Sequence, residues 1–429
     1  MNRKMMSAAM IATAALAFTS CSTSKSAQTG NKNQVSVKDD GIATLPAEDM
    51  DPTFLIYSDA QRNVVKKNND FAFNLFHQIQ GMDGKVVSPM SVAYLMGMLA
   101  NGADGATQQQ ILKAIGCEGV SLQGVNELYQ GMMQVLGKQD KQTKVEIANY
   151  IAINKNNKIN KDFAQEVSQS YQAAIESLDF SSSKTTQRIN HWCSEHTDGM
   201  IPRIIDQVDA GAVSYLMNAI YFNGTWAEKF DAHNTKQETF RGYTRDIQKV
   251  DMMHQVKKFY YTENEMYKAV DLPYGNGSFS MTVLLPNEGK GIDEMMKSLN
   301  AESFAKMHQN MENCMVNLKL PKFTTETKLD LNDIISKLGA PMIFNPSHAN
   351  FSHLADGKFF VSKMLQKAKI EVSEQGTKAA AVTAAVMLTS LAPTQIRNVE
   401  FFANRPFVYA ITDHQSGAIL FMGQYTGTH

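Results

Sequence analysis

Residues 374–393 read Glu374-Gln375-Gly376-Thr377-Lys378-Ala379-Ala380-Ala381-Val382-Thr383-Ala384-Ala385-Val386-Met387-Leu388-Thr389-Ser390-Leu391-Ala392-Pro393. Helix propensity alone makes this an Ala-rich surface helix. Read with a period of two, Thr377, Ala379, Ala381, Thr383 and Ala385 share one face and are all small, while Lys378, Ala380, Val382, Ala384 and Val386 share the other. The second reading describes a strand slim enough to enter a crowded sheet, and strand-like stretches flank it.

Downstream, Phe407 to Ile411 and Ala418 to Met422 flank an Asp413-to-Gly417 turn and predict a hairpin. Upstream, Val316, Leu318 and Leu320 alternate with Asn317 and Lys319, and Val145, Ile147 and Asn149 to Ile153 form another strand. Tyr215 to Phe222 and Phe279 to Leu285 are near-continuous apolar runs, which implies burial on both faces. Helices come early: Phe71, Leu75 and Ile79 are spaced by four, and Ser88-Pro89 opens a stripe of Val92, Met96 and Leu99. Ile189, Trp192, Cys193 and His196 mark another helix, stopped by Asp198-Gly199. Helices first and strands later predict an α+β fold rather than a doubly wound sheet. With no internal repeat or Gly/Ser linker, residues 53–429 read as one large domain.

The 429 residues carry 41 basic against 42 acidic side chains, so no charge excess favours nucleic acid as a partner. Cys21, Cys117, Cys193 and Cys314 form no C-x-x-C pair, which excludes a zinc ribbon or dithiol site, and no cofactor or metal is expected. G-x-S-x-G, H-E-x-x-H and P-loop motifs are absent, and Gly275-Asn276-Gly277 lacks a third glycine, so the common enzyme signatures are missing. At the start, Arg3 and Lys4 precede the uncharged stretch Met5 to Phe18, so residues 1–20 read as an export signal. Phe18-Thr19-Ser20-Cys21 resembles the lipobox of bacterial lipoproteins, with Phe18 where Leu is usual, and implies lipidation at Cys21; an ordinary signal peptide with an incidental Cys21 is the alternative. Residues 21–52 are polar and read as a flexible tether.

Across residues 59–426 the chain resembles the serpin family of protease inhibitors. Ser88-Pro89-Met90-Ser91-Val92 with Asn101-Gly102-Ala103-Asp104-Gly105-Ala106-Thr107 is similar to the family's first conserved block. Asn218 to Trp226 resembles its central strand motif, Asp271-Leu272-Pro273-Tyr274 and Leu320-Pro321-Lys322-Phe323 resemble two more, and Phe401 to Ile411 fits its C-terminal signature. Glu374, Gly376, Thr377, Ala379, Ala380 and Ala381 resemble the mobile hinge of inhibitory members.

The resemblance implies a serpin fold of three β-sheets with eight or nine helices, and a reactive loop at about 374–397. It implies a suicide mechanism in which the cut loop inserts into the main sheet and traps the acyl-enzyme, a known case of strand addition and strain release. Glu374 and Trp226 resemble the breach pair where insertion begins; Ser88, Ser91 and Asn218 resemble the shutter cluster beneath the opening strands, with Gln366 in the place of a usual His. Counting from the hinge puts the reactive bond at Ser390-Leu391 or, one shorter, at Thr389-Ser390. No Lys or Arg lies between Lys378 and Arg397, so the expected targets are elastase-like, subtilisin-like or papain-like proteases, and chymotrypsin-like ones if Leu388 is the bait. A non-inhibitory carrier or chaperone is the alternative function. The expected product is a monomeric envelope or surface lipoprotein, or alternatively a secreted protein. Replacing Cys21 with Ala should release the protein from the membrane fraction, checked by fractionation and N-terminal mass spectrometry; a mature N-terminus elsewhere than residue 21 would reject the anchor.

Overall fold

The computed structural model describes residues 55–377 and 396–427. The expectations for Cys21 and the tether, for Ala379, Ala380 and Ala381, and for Thr389, Ser390 and Leu391 lie outside the described residues.

Helix α1 (Asp59–Ile79) buries Phe71, Leu75 and Ile79, as their spacing predicts, and begins with a capping box at Ser58 and Gln61. Strand β1 (Lys85–Val87) leads to Ser88, whose hydroxyl accepts the Ser91 amide and caps α2 (Pro89–Gly102). That helix is buried on nearly every side, so it runs through the core rather than over it. There follow α3 (Gly105–Ala114), α4 (Leu122–Leu136), β2 (Thr143–Asn154), α5 (Lys161–Tyr171), β3 (Ala174–Leu178), α6 (Ser183–Glu195) and β4 (Ser214–Thr225). The strand-rich part comprises β5 (Lys236–Arg241), β6 (Ile247–Glu263), β7 (Tyr267–Tyr274) and β8 (Phe279–Pro286), then α7 (Ile292–Lys297), α8 (Ala301–Gln309), β9 (Glu312–Pro321), β10 (Phe323–Asp330) and α9 (Asn332–Lys337). It ends with β11 (Lys363–Ser373), β12 (Gly376–Thr377), β13 (Asn398–Phe402), β14 (Phe407–Asp413) and β15 (Ile419–Tyr425), the last two forming the hairpin read from sequence.

Hydrogen bonding joins the described strands into a nine-stranded sheet, β1-β15-β14-β8-β7-β6-β9-β13 with β5 on β6, and a six-stranded sheet, β10-β11-β12-β4-β2-β3. The larger sheet has two parts, because β6 pairs with β5 and β9 along most of its length and meets β7 only over Tyr260 to Glu263. The three sheets expected are therefore the six-stranded sheet and these two parts, accompanied by nine α-helices among the described residues.

Strand β4 shows why its sequence is apolar on both faces. Leu216, Ile220 and Phe222 enter the main core between the sheets. Tyr215, Met217, Ala219 and Tyr221 enter a second cluster with Ile189 and Trp192 of α6, which covers the outer face. His196 closes that helix with its ring stacked on Trp192 at 4.4 Å and Nδ1 2.8 Å from the Trp192 carbonyl, so it is a satisfied structural side chain.

Candidate functional site

The six-stranded sheet is divided along one seam. Strands β4 and β11 pair directly and in parallel from Tyr215/Lys363 to Tyr221/Lys369. Beyond that point β12 lies between them: Thr377 pairs with Gly224 of β4 and Val372 of β11, and Gly376 with Thr225 and Ser373. Gly376 and Thr377, two of the residues expected in the hinge, are thus already seated in the open end of the sheet.

Their seat is made by small residues and stacked aromatics. Gly376 has φ 140°, and a Cβ there would lie 2.1 Å from the Gly224 carbonyl oxygen, so no other residue fits. A Cβ on Gly224 would come 2.8 Å from Phe222 and Tyr274, so both sides of this crossing exclude side chains. Thr377 is fully buried, with Oγ1 2.7 Å from the Tyr274 hydroxyl. Tyr274 stacks on Trp226 with ring centres 4.3 Å apart and planes 11° from parallel. The Trp226 indole donates to the Ser373 carbonyl at 2.9 Å, and its amide to the Gln375 carbonyl at 3.0 Å. Trp226 therefore clamps the turn between β11 and β12.

Glu374 works beside Trp226 through other partners. Its carboxylate accepts from Thr235 Oγ1 at 2.9 Å and pairs with Lys322 Nζ at 3.1 Å, and its carbonyl accepts the Phe230 amide at 3.0 Å. Burial opposes ionisation of Glu374, but its own amide, Thr235 and Lys322 outweigh that and hold it below the usual carboxylate value. Lys322, Thr235 and Tyr274 were not singled out from sequence as members of the site. Lys322 lies within the quoted motif Leu320 to Phe323 and Tyr274 closes Asp271 to Tyr274, which was the available signal.

Under the closed part of the seam lies a polar chain whose members are fully buried. Gln366 Oε1 accepts the Ser88 amide at 3.0 Å, and Gln366 Nε2 donates to the Ser88 carbonyl at 3.0 Å and to Asn218 Oδ1 at 3.2 Å. Asn218 Nδ2 donates to Asn149 Oδ1 at 2.9 Å, and Asn149 Nδ2 to the Tyr171 carbonyl at 3.1 Å. Ser88 Oγ donates to the Leu420 carbonyl at 2.7 Å. Ser91 contributes only its amide; its buried hydroxyl has no hydrogen-bond partner among the described residues. Asn149 is a member that sequence reasoning missed, its signal being a lone Asn within an apolar strand.

The far side of the loop is anchored elsewhere. Arg397 gives its carbonyl to the Met315 amide at 2.8 Å, lies over the Tyr261 ring and pairs with Glu263, and β13 then runs parallel to β9. Cys117, Cys193 and Cys314 are buried free thiols, and burial pushes Cys117 up to about 11 and Cys193 to about 12.

Gly376 and Thr377 thus wedge the sheet open over a Ser-Asn-Gln network. The profile described as serpin (serine protease inhibitor) matches residues 66–427. The chain belongs to the serpin family. It is similar to the leukocyte elastase inhibitor of Equus caballus, 32% identical over 376 residues that cover 84% of this chain and 98% of that one. It is also similar to the native crystal structure of the thermophilic serpin tengpin, with TM-score 0.79, 30% identity and coverage of 87% and 96%. A structure of thyroxine-binding globulin complexed with thyroxine matches with TM-score 0.76 and 25% identity, covering 85% of this chain and 98% of that one.

In this serpin Gln366 has no proton to gain or lose near neutral pH, yet it makes three hydrogen bonds. Gln366→Leu leaves buried Ser88 and Asn218 groups unpaired and should cost about 2–5 kcal/mol, seen as a lower thermal midpoint. Gln366→His offers a single acceptor to the Ser88 amide and loses it on protonation, so burial and this bond depress the folded pKa. Its stability should be intact above the usual His value of ~6.5 and fall as pH drops through the folded pKa, whereas the parent should show no such step from this site. Thermal unfolding of parent and both variants across that range checks both expectations.

Proposed function

We propose that this serpin is a suicide-type inhibitor of serine proteases, and also of papain-like cysteine proteases, which traps the acyl-enzyme by inserting its cut loop between β4 and β11. The observation that carries this reading is the seat of Thr377 between Val372 and Gly224. Continuing those two registers sets Thr383 between Asn218 and Gln366, and Val386 between Tyr215 and Lys363, where the direct pairing of β4 with β11 begins. The stretch of small residues is therefore as long as the closed part of the seam. On that register Ala379, Ala381 and Ala385 fall on the core face opposite Phe222, Ile220 and Leu216, which already fill it. Bulkier residues would overpack that face.

The elastase-inhibitor relative and the apolar stretch Met387 to Leu391 support elastase-like targets first, with subtilisin-like and chymotrypsin-like enzymes behind them, cut at Ser390-Leu391 or Thr389-Ser390. We place the protein at the cell envelope, held by a lipid on Cys21 and acting as a monomer that shields the cell from proteolysis. The thyroxine-binding globulin match keeps a carrier role as the second reading, but a small hinge seated in the sheet favours insertion.

Two experiments test the inhibitor. Thr377→Arg puts an unpaired guanidinium at a fully buried position, which costs several kcal/mol, so the hinge should be expelled. The variant loop should still be cut by elastase, while the denaturant-resistant complex disappears on a gel; an undiminished complex would rule out insertion. Separately, nicking the loop between Val386 and Leu391 should raise the thermal midpoint by tens of degrees. Half a dozen new ladder bonds at ~0.5–1.5 kcal/mol each, with added burial, rival the ~5–15 kcal/mol that holds an ordinary domain. An equal or lower midpoint after cleavage would favour the carrier.

A further inference from the structure

A cleft of about 700 Å³ opens between the end of β5, the hairpin that joins it to β6, the loop after β8 and the turn before β14. None of its residues belongs to the hinge seat or the polar network. Four basic side chains line it, Arg241, Arg245, Lys290 and Arg405, against two acidic ones, Glu288 and Asp293. That local excess stands out in a chain whose formal net charge is −1.

The pairing within the cleft leaves part of this charge uncompensated. Asp293 accepts the Tyr243 hydroxyl, and Lys290 pairs with Glu294 at 2.8 Å. Arg405 is fixed by Nε donating to the Pro286 carbonyl at 2.9 Å and by Nη1 donating to Asn404 Oδ1 at 3.0 Å. Its carboxylate partner, Glu288 at 3.2 Å, has a side chain 75% exposed, against 15% for Arg405. Arg241 and Arg245 have no carboxylate partner among the described residues. Burial holds Arg405 below the ordinary guanidinium value, Glu288 opposes that, and the like charge of Arg241 adds to it, so the two guanidinium groups sense each other.

Two backbone features belong to the same cleft. Arg245 has φ 67°, in the turn where its amide reaches the Gly242 carbonyl and the Gly242 amide reaches the Asp246 carbonyl. The left-handed region suits Gly or Asn, so an arginine there is a strained placement of a positive charge beside the cleft. Across from it, Gly289 and Gly291 present bare backbone around Lys290, which lets a ligand approach closely.

We propose that this cleft binds a tetrahedral oxyanion, a phosphate or sulfate, free or as the monoester of a small sugar, held by Arg241 and Arg245 against the fixed guanidinium of Arg405. Planar guanidinium groups recognise such anions through paired charge-assisted hydrogen bonds, and a second anion between Arg241 and Arg405 relieves their repulsion.

The test is calorimetric titration of the folded protein with inorganic phosphate, inorganic sulfate, glucose 6-phosphate and glucose, at ionic strength held constant with sodium chloride. Saturable binding of the anions and none of glucose is expected. Glucose 6-phosphate binding at least tenfold tighter than phosphate identifies a sugar monoester as the ligand; equal affinity identifies the free anion. Arg241→Gln and Arg245→Asn should each weaken binding about tenfold or more. Both positions are exposed, and Asn tolerates the left-handed backbone, so the anion-free thermal midpoint should be unchanged for the first and unchanged or higher for the second. Absence of saturable binding, or variants that bind like the parent, would overturn the proposal.

Discussion

Everything that this fold can do depends on a backbone ladder that is closed at one end and wedged open at the other. Parallel bonds between β4 and β11 hold from Lys363 to Lys369, and past that point Gly376 and Thr377 occupy the space between the strands. A parallel pairing in the middle of an otherwise mostly antiparallel sheet is the weaker alternative for those backbone groups. An antiparallel strand inserted along the whole seam would serve both neighbours at once. Gly376 and Thr377 stand at the entrance of that seam.

The surroundings keep that entrance shaped. Gly376 and Gly224 meet where no Cβ can be accommodated, and the stacked pair Trp226 and Tyr274 fixes the turn from one side. On the other, Glu374 is tied to Lys322 and Thr235. Farther along the seam the resistance to opening is chemical rather than steric: Gln366 bridges Ser88, the cap of α2, to Asn218 of β4, so separating the strands breaks bonds that are buried and hard to replace. A neutral amide does this without a titrating group, so the lock works alike across the physiological range.

The site was legible in part. Ser88, Asn218, Trp226 and Glu374 stand in motifs whose order along the chain can be read directly, with Gln366 placed by its spacing from Glu374, and the structure brings Ser88, Asn218 and Gln366 into contact and sets Trp226 and Glu374 around one turn. Tyr274 and Lys322 stand in quoted motifs, but nothing local names their partners, because Thr377 and Glu374 are distant in sequence. Asn149 looked like one more residue of a buried strand until Asn218 was placed opposite it. Polar contacts of this kind depend on distances of a few tenths of an ångström between separate elements, which periodicity does not encode.

From the sequence alone came the α+β class, the caps and stripes of the early helices, the strands buried on both faces, and a period of two from Thr377 onward that reads as a slim strand. These are local properties, set by side-chain size and polarity against the repeat of the backbone. Only the tertiary structure decided that β11 lies beside β4, that Gly376 and Thr377 lie between them at one end, and that Arg241, Arg245 and Arg405 share one cleft. Each of these joins residues far apart in the chain, and their proximity follows from how whole sheets pack and twist together, an energy summed over the entire core that no short stretch contains.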